Sequence, residues 1–416
     1  MVAIGACMAP AASAQEVSGE ISFAWWGAEA RNRAILEVVA AFEEAHPGVK
    51  VLPQPTEFAR HWDRVTVQAA AGQVPCIPMM QTRYQVRYEN LGALLPLDDL
   101  IAEGKIDVST IPEELIEGHR NADGNLYTLP IGLWFETYQY NWTRLEPTGV
   151  GEPQNDWTYE DYIEWARQAR TELDEGVYPL SQLGTSITQF QMYAQARGED
   201  LFDGVEPGFS EETLADWFRL WATASEERLA PDMAMSAEEP TATPQTYMAQ
   251  GITLSRTGGD VTASELQAVL NELDGSVVHQ AKSPNGNNPL VSGSHTLAIS
   301  TNCANVDAAA AFIDFWLNDE PAAVRLQSQV GLVPSASLLE AQAADPNSPP
   351  TLVDRIEMYT DFADTYGVRI DVWPDNTQHL VNEFRDIYQQ VGFGQSSPED
   401  AASQFAEEVR RSLALN

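Results

Sequence analysis

The stretch NADGNLYTLPIGLWFETYQYN, residues 121–141, decides how the fold is read. An Asp-Gly pair at 123–124 between alternating apolar runs is a strong local turn signal. It leads into a short strand expected over 126–129. Pro130 follows, then an aromatic-rich run that ends in a second expected strand over 137–140. Taken alone, the phrase means a β-hairpin or a strand crossing from one body to another. The segments around it decide between the two.

Toward the N-terminus, residues 21–23 read as a strand and Trp25-Trp26-Gly27 as a loop. A helix is expected over 29–45, because Ile35, Val38, Val39 and Phe42 recur at the spacing of one helical face. Pro47-Gly48 stops it. A strand follows over 49–52. Next comes a helix over 59–71, with Trp62, Val65 and Ala69 on one face. A third strand lies around Met79-Met80, shortened by Pro75 and Pro78. Strand–helix–strand–helix–strand is the signature of a parallel sheet covered by helices. Such sheets bind ligands beyond the carboxyl ends of their strands, here 25–29, 56–60 and 81–84.

Toward the C-terminus the chain is helix-rich. Thr158 with Asp161 forms a capping-box pattern. Ser210 precedes a helix over 211–224 with Leu214, Trp217, Phe218 and Trp221 on its apolar face. A strand is expected over 297–299. Asn305 is expected to cap a helix carrying Val306, Ala309, Ile313 and Trp316. Ser397-Pro398-Glu399-Asp400 opens the last helix. There are no internal repeats.

The 416 residues are enough for two domains, and 44% are apolar, enough for real cores. No apolar run reaches the roughly 18–20 residues of a membrane helix. Net charge is −38, with three lysines against 20 arginines. That balance argues against nucleic acid and anionic membranes as partners and fits solubility in a salty medium. Residues 1–16, MVAIGACMAPAASAQE, end in an A-x-A pattern at Ala12-Ser13-Ala14. This reads as the end of a secretory signal peptide cleaved after Ala14, with lipidation at Cys7 the weaker alternative. The basic n-region is missing, so the true start is expected elsewhere. Cys76 and Cys303 then remain, as one disulfide or as two buried thiols.

Enzyme signatures are missing. The six histidines show no HExxH spacing, and there is no G-x-S-x-G, P-loop, GxGxxG or CxxC. With 61 acidic residues, carboxylate pairs carry no information. No catalytic residue, metal or cofactor is expected.

Several segments together resemble the carbohydrate-binding branch of the bacterial extracellular solute-binding proteins, the capturing subunits of ATP-driven importers. They are ISFAWWG with AFEEAHPGVKV (21–51), VQAAAGQVP (67–75), GALLPLDDLI (92–101) and the DG..Y.LP crossing. WTYEDYIEWARQ (157–168), ARGEDLFDG (196–204), MAQGITLS (248–255), VSGSHTLAIS (291–300), AAAFIDFWLNDE (309–320), GLVPS (331–335) and SPEDA (397–401) complete the set. The resemblance implies an α/β, type II-like periplasmic-binding-protein fold. Two lobes would be joined by a hinge that the chain crosses several times. Lobe 1 is expected over 15–130 plus 283–318 and lobe 2 over 131–282 plus 319–416. The implied protein is a periplasmic monomer that captures a sugar between its lobes and hands it to ABC permease subunits with an ATPase. A ligand-binding partner of a chemoreceptor or sensor kinase, and a secreted glycoside-active enzyme, are the competing readings. The chain departs from the family pattern at Cys76, at His295 (often a stacking Trp), and at 256–260.

A sugar site needs flat aromatics for C–H faces and convergent polar groups for hydroxyls. The expected ligand residues are Trp25 or Trp26, Glu29, Glu57, Phe58, Gln81, Thr82, Trp134, Arg256, Asp260, His295 and Trp373. Arg83, Arg256 and His295 together raise the further option of an anionic sugar, a uronate or sulfonated sugar.

Overall fold

The computed structural model describes residues 17–240 and 242–415. The expected cleavage after Ala14 and the alternative at Cys7 lie outside the described residues. The strands in chain order are β1 (Gly19–Trp26), β2 (Val49–Thr56), β3 (Ile77–Gln81), β4 (Leu129–Asn141), β5 (Phe202–Asp203), β6 (Glu206–Pro207), β7 (Ser255–Gly259), β8 (Val278–Lys282), β9 (Leu290–Leu297) and β10 (Val368–Ile370).

The strand–helix–strand–helix–strand order holds, but Trp25 and Trp26, expected in a loop, are the last residues of β1 and pair with Pro55 and Thr56. β1 pairs in parallel with β2 and with β3. The connections are the helices Glu29–Ala45 and Phe58–Ala70. β2 is an edge strand, which accommodates Pro53 and Pro55 without losing ladder hydrogen bonds. The sheet continues β2-β1-β3-β9-β4-β7, with β8 also on β4 and β10 on β9.

The stretch around Pro130 is a crossing and not a hairpin. Instead of two short strands it forms one strand, β4, of 13 residues. Its first half pairs antiparallel with β9, from Leu129 opposite Leu297 to Phe135 opposite Ser292. A register shift between Pro130 and Gly132 absorbs the proline. Its second half runs between β7 and β8. The strand expected over 297–299 lies earlier, as β9. Ser292, Ser294 and Thr296 are fully buried there, so an interior strand carries a polar sequence.

Two large apolar cores sit on either side of this crossing. The first gathers Phe23, Ile35, Phe42, Met79, Leu133 and Phe135, then Phe312 and Trp316. The second gathers Tyr138, Tyr162, Phe190, Trp217, Trp221 and Phe405. The change of core falls between Phe135 and Tyr138, within β4. Residues 319–370, expected with the second lobe, bring Ala322, Leu338, Leu352, Ile356, Phe362 and Ile370 to the first core.

Local signals explain most helix starts. Thr158 and Asp161 form the capping box, and Ser210 and Ser397 accept from Thr213 and Asp400 N–H. Asn305 occupies the cap position without capping; its amide instead donates to the Glu20 carbonyl at 2.8 Å. Cys76 and Cys303 form a disulfide, Cα–Cα 4.5 Å, that ties the start of β3 to the turn after β9. Among the described residues no helix is long and apolar enough to cross a membrane.

Candidate functional site

A cleft of about 1390 Å³ opens where the carboxyl ends of β1, β2 and β3 meet the end of β7. Three helices begin at its wall, Glu29–Ala45, Phe58–Ala70 and Asp260–Leu273, none with a side-chain cap. Each start also carries an acidic residue, Glu29, Glu57 or Asp260, placed where the helix dipole favours it. Residues 327–331 and 349–355 close the remaining side.

One wall is aromatic. Trp26 and Phe58 meet edge to face at 5.6 Å, and Trp26 packs on Trp62 and His295 at 5.4 and 5.3 Å. Trp62 in turn stacks on Tyr84 at 4.1 Å. Phe58 is 42% exposed and is the accessible face of this cluster. Trp134 supplies a second ring from β4. Gly293 beneath it allows the approach, since a Cβ there would lie 2.0 Å from the indole. The indole N–H of Trp134 has no protein partner.

The polar groups divide into free and engaged. The half-buried Gln81 amide lines the cleft with no protein hydrogen bond among the described residues. His295 is 8% exposed, and its Nδ1–H donates to the Val330 carbonyl at 2.7 Å. That bond fixes the tautomer and leaves Nε2 as an acceptor without a protein partner. Burial, with nearby Arg31 adding to it, lowers the His295 pKa to about 3, so the ring is neutral. Asp260 is engaged: Nε–H and Nη2–H of Arg355 donate to one of its oxygens at 2.8 and 2.5 Å. Glu136, on the same face of β4 as Trp134, makes no hydrogen bond through its carboxyl among the described residues. Burial raises its pKa, Arg83 and Arg256 oppose that, and Asp260 reinforces it.

The cleft thus brings together eight of the expected residues: Trp26, Glu29, Glu57, Phe58, Gln81, Trp134, Asp260 and His295. Glu29 and Glu57 are exposed at the mouth, Glu29 bonded to Arg33 at 3.1 Å. Four lie elsewhere. Trp25 is fully buried in the first core, with its indole N–H on Asn32 Oδ1 at 2.8 Å. The two tryptophans alternate along a strand, so only one can face the cleft. Thr82 is fully buried, and its carbonyl accepts from Trp373 N–H at 3.2 Å. Trp373 is fully buried in the second core, its indole N–H on Asp371 at 2.7 Å. Arg256 donates to Gln139 Oε1 and to the Thr262 carbonyl, at 3.0 and 3.1 Å. Arg83 donates to Thr188 and lies between the rings of Trp134 and Trp373, 5.3 and 4.7 Å from their centres.

Sequence reasoning missed Arg31, Arg355 and the 327–331 strap. Arg31 stands two residues after Glu29 on the same helix start, so the strand-end rule points to it. The strap ends on the first residue of GLVPS, Gly331, and nothing in residues 327–330 announces a return to the cleft.

Known proteins align with this arrangement. Residues 37–352 match the family model described as bacterial extracellular solute-binding protein. An extracellular solute-binding protein family 1 member from Alicyclobacillus acidocaldarius superposes with a TM-score of 0.76 at 21% identity, covering 96% of this chain and 99% of its own. An ABC substrate-binding protein from Listeria monocytogenes, in complex with cycloalternan, gives 0.77 at 18% identity, with 95% and 99% covered. A periplasmic oligogalacturonide-binding protein from Yersinia enterocolitica, in complex with saturated digalacturonic acid, gives 0.76 at 18%, with 95% and 99% covered. At these identities the structural likeness speaks to the fold, and the family match speaks to the chain: it belongs to the bacterial extracellular solute-binding proteins.

Proposed function

We propose that this chain captures a sugar in the cleft and delivers it to the permease of an ABC importer. The observation that carries the reading is the pairing of an aromatic wall, Trp26, Phe58 and Trp134, with unpartnered polar groups on Gln81 and His295. Rings cover C–H faces, and free donors and acceptors take hydroxyls. Two of the superposed proteins, the cycloalternan and digalacturonic acid complexes, hold carbohydrates, which supports the same class here. The protein works without turning over its ligand, in the periplasm, as a monomer after removal of residues 1–14. The proposed lobes are 17–135 with 290–370, and 136–289 with 371–415, following the two cores. Sugar binds one lobe first, and closure adds the other lobe's contacts; the ligand shifts the equilibrium by its differential affinity.

The test is a thermal-shift screen of the chain from residue 15 against mono- and oligosaccharides, uronates, amino acids and peptides. Ligand binding to the native state raises the melting temperature by mass action. A shift with a sugar that is recovered intact supports capture. Shifts with amino acids or peptides alone, or consumption of the sugar, overturn it.

A further inference from the structure

We infer that the captured sugar is an acidic one: its carboxylate is received by Arg31, and one of its hydroxyls donates to Nε2 of His295. The inference rests on the sugar-capture reading and narrows it.

Arg31 is a half-buried cation in the wall of the cleft. Its Nε–H donates to the Gln329 carbonyl at 2.7 Å, and Nη1 reaches the Trp26 carbonyl at 3.5 Å. Among the described residues Nη2 has no partner. Among the described residues Arg31 forms no ion pair, in a chain with 61 acidic residues. The nearest rim glutamate in sequence, Glu29, is taken by Arg33. Burial lowers the Arg31 pKa, and no carboxylate opposes that shift. A half-buried cation without a protein counter-ion leaves its charge open to an anion that enters the cleft.

The placement is built. Gly27 lets the side chain fold over the backbone, since a Cβ there would lie 2.5 Å from Arg31 Cδ. The strap that fixes Arg31 also fixes His295, through the neighbouring carbonyls of Gln329 and Val330. One cation and one neutral acceptor are therefore held side by side at the carboxyl end of β1. The other arginines considered for an anion do not line the cleft: Arg83 reaches Thr188, and Arg256 reaches Gln139 and Thr262. A planar carboxylate matches the free guanidinium edge, and a neutral imidazole acceptor asks for a hydroxyl. A polyhydroxylated carboxylate supplies both.

The test measures binding of the wild-type protein to galacturonate, glucuronate and digalacturonate, and to galactose, glucose and neutral galactobiose, by calorimetry. The expected result is binding of at least one acidic sugar, roughly tenfold or more tighter than its neutral counterpart. Arg31→Gln should weaken acidic-sugar binding by a similar factor, with Arg31→Lys intermediate and the melting temperature of the free protein little changed. Neutral sugars binding as tightly as acidic ones would overturn this inference and leave sugar capture standing. So would acidic-sugar affinity that Arg31→Gln does not alter. Binding of no sugar of either kind would overturn both.

Discussion

Glu89 sets the clearest residue-scale expectation. It is 9% exposed on the short helix Gln85–Asn90, and burial pushes its carboxyl up to about 7, with the nearby Gln85 side chain acting in the opposite direction. An unfolded glutamate titrates near 4.3. Below that pH both states are protonated and the group is neutral to stability. As pH rises toward 7 the unfolded chain releases its proton first, so stability falls, by on the order of 3 kcal/mol once both states are ionised. Glu89→Gln should therefore stabilise the protein at pH 8 and give no comparable gain at pH 4.5, as read by denaturant melts at the two values. Equal gains at both would show that burial of the charge is not the cause. The buried histidines work in the opposite direction. His61 and His119 are lowered to about 4 and His295 to about 3, mainly by burial. Unfolded imidazoles take up protons below about 6.5, so each of these three costs stability as pH falls from there toward its folded value.

The strap at 327–331 shows how one loop sets the site at the scale of elements. Gln327, Ser328 and Gly331 all take left-handed backbone, φ 43, 53 and 104°. Such conformations persist only where surrounding contacts hold them. Here Leu133 and Leu332 exchange backbone hydrogen bonds of 2.7 and 2.8 Å. Gly132 makes this approach possible, because a Cβ there would lie 1.8 Å from the Val330 carbonyl oxygen. Gly132→Ala should cost about 1–3 kcal/mol of stability. It should also weaken ligand binding, since Val330 and Gln329 position His295 and Arg31; unchanged affinity in a folded variant would sever strap from site. The disulfide is a second element-scale device. Cys76 and Cys303 stand 227 residues apart, and closing so long a loop in the unfolded chain is worth on the order of 5 kcal/mol in the chain-entropy account. The double Cys→Ser variant should melt several degrees lower, and reductant should then have no further effect. The elements themselves were unequally legible. The order of elements through β1–β3 read correctly because the helices carry one apolar face, while Trp25 and Trp26 proved to extend β1 rather than form a loop. β4 was read as two pieces because Pro130 and Gly132 look like breaks, and only pairing with β9 makes them interior. The Ser, Gly and Thr of β9 hide a buried strand behind a polar sequence. The helices of 319–370 are amphipathic whichever core they face, so sequence could not choose between cores. Arg31, Arg355 and the strap meet at the cleft only through tertiary placement.

At the scale of the whole molecule, the two cores are linked by polar contacts as well as by the shared strand β4. Arg83, after β3, donates to Thr188 on the helix Ile187–Gln195, and Arg369 on β10 pairs with Asp200. The most buried ion pair among these links is Asp260 with Arg355, at 0% and 7% side-chain exposure. Asp260 begins a helix whose Leu266 and Leu270 pack on Met248 and Ala249. Arg355 belongs to the helix Pro350–Tyr366, which packs through Leu352, Ile356 and Tyr359 on the first core. The pair also lines the cleft, so it lies where closing lobes would meet. Its geometry, with two donors on one oxygen and Phe135 N–H on the other at 3.4 Å, marks a contact that holds one relative placement of the two sides. Removing one member leaves a buried charge unpaired, at a cost of about 3–5 kcal/mol. Arg355→Met should therefore be strongly destabilising, and Asp260→Asn with Arg355→Met should recover part of that loss. If the pair ties the lobes, the double variant should also show a larger radius of gyration by X-ray scattering without ligand. Adding ligand should bring that radius back to the wild-type value, with weaker affinity, because closure is then driven by the ligand alone. A double variant that is less stable but scatters like the wild type would make the pair a local core contact and place the pivot of closure at β4 and β9.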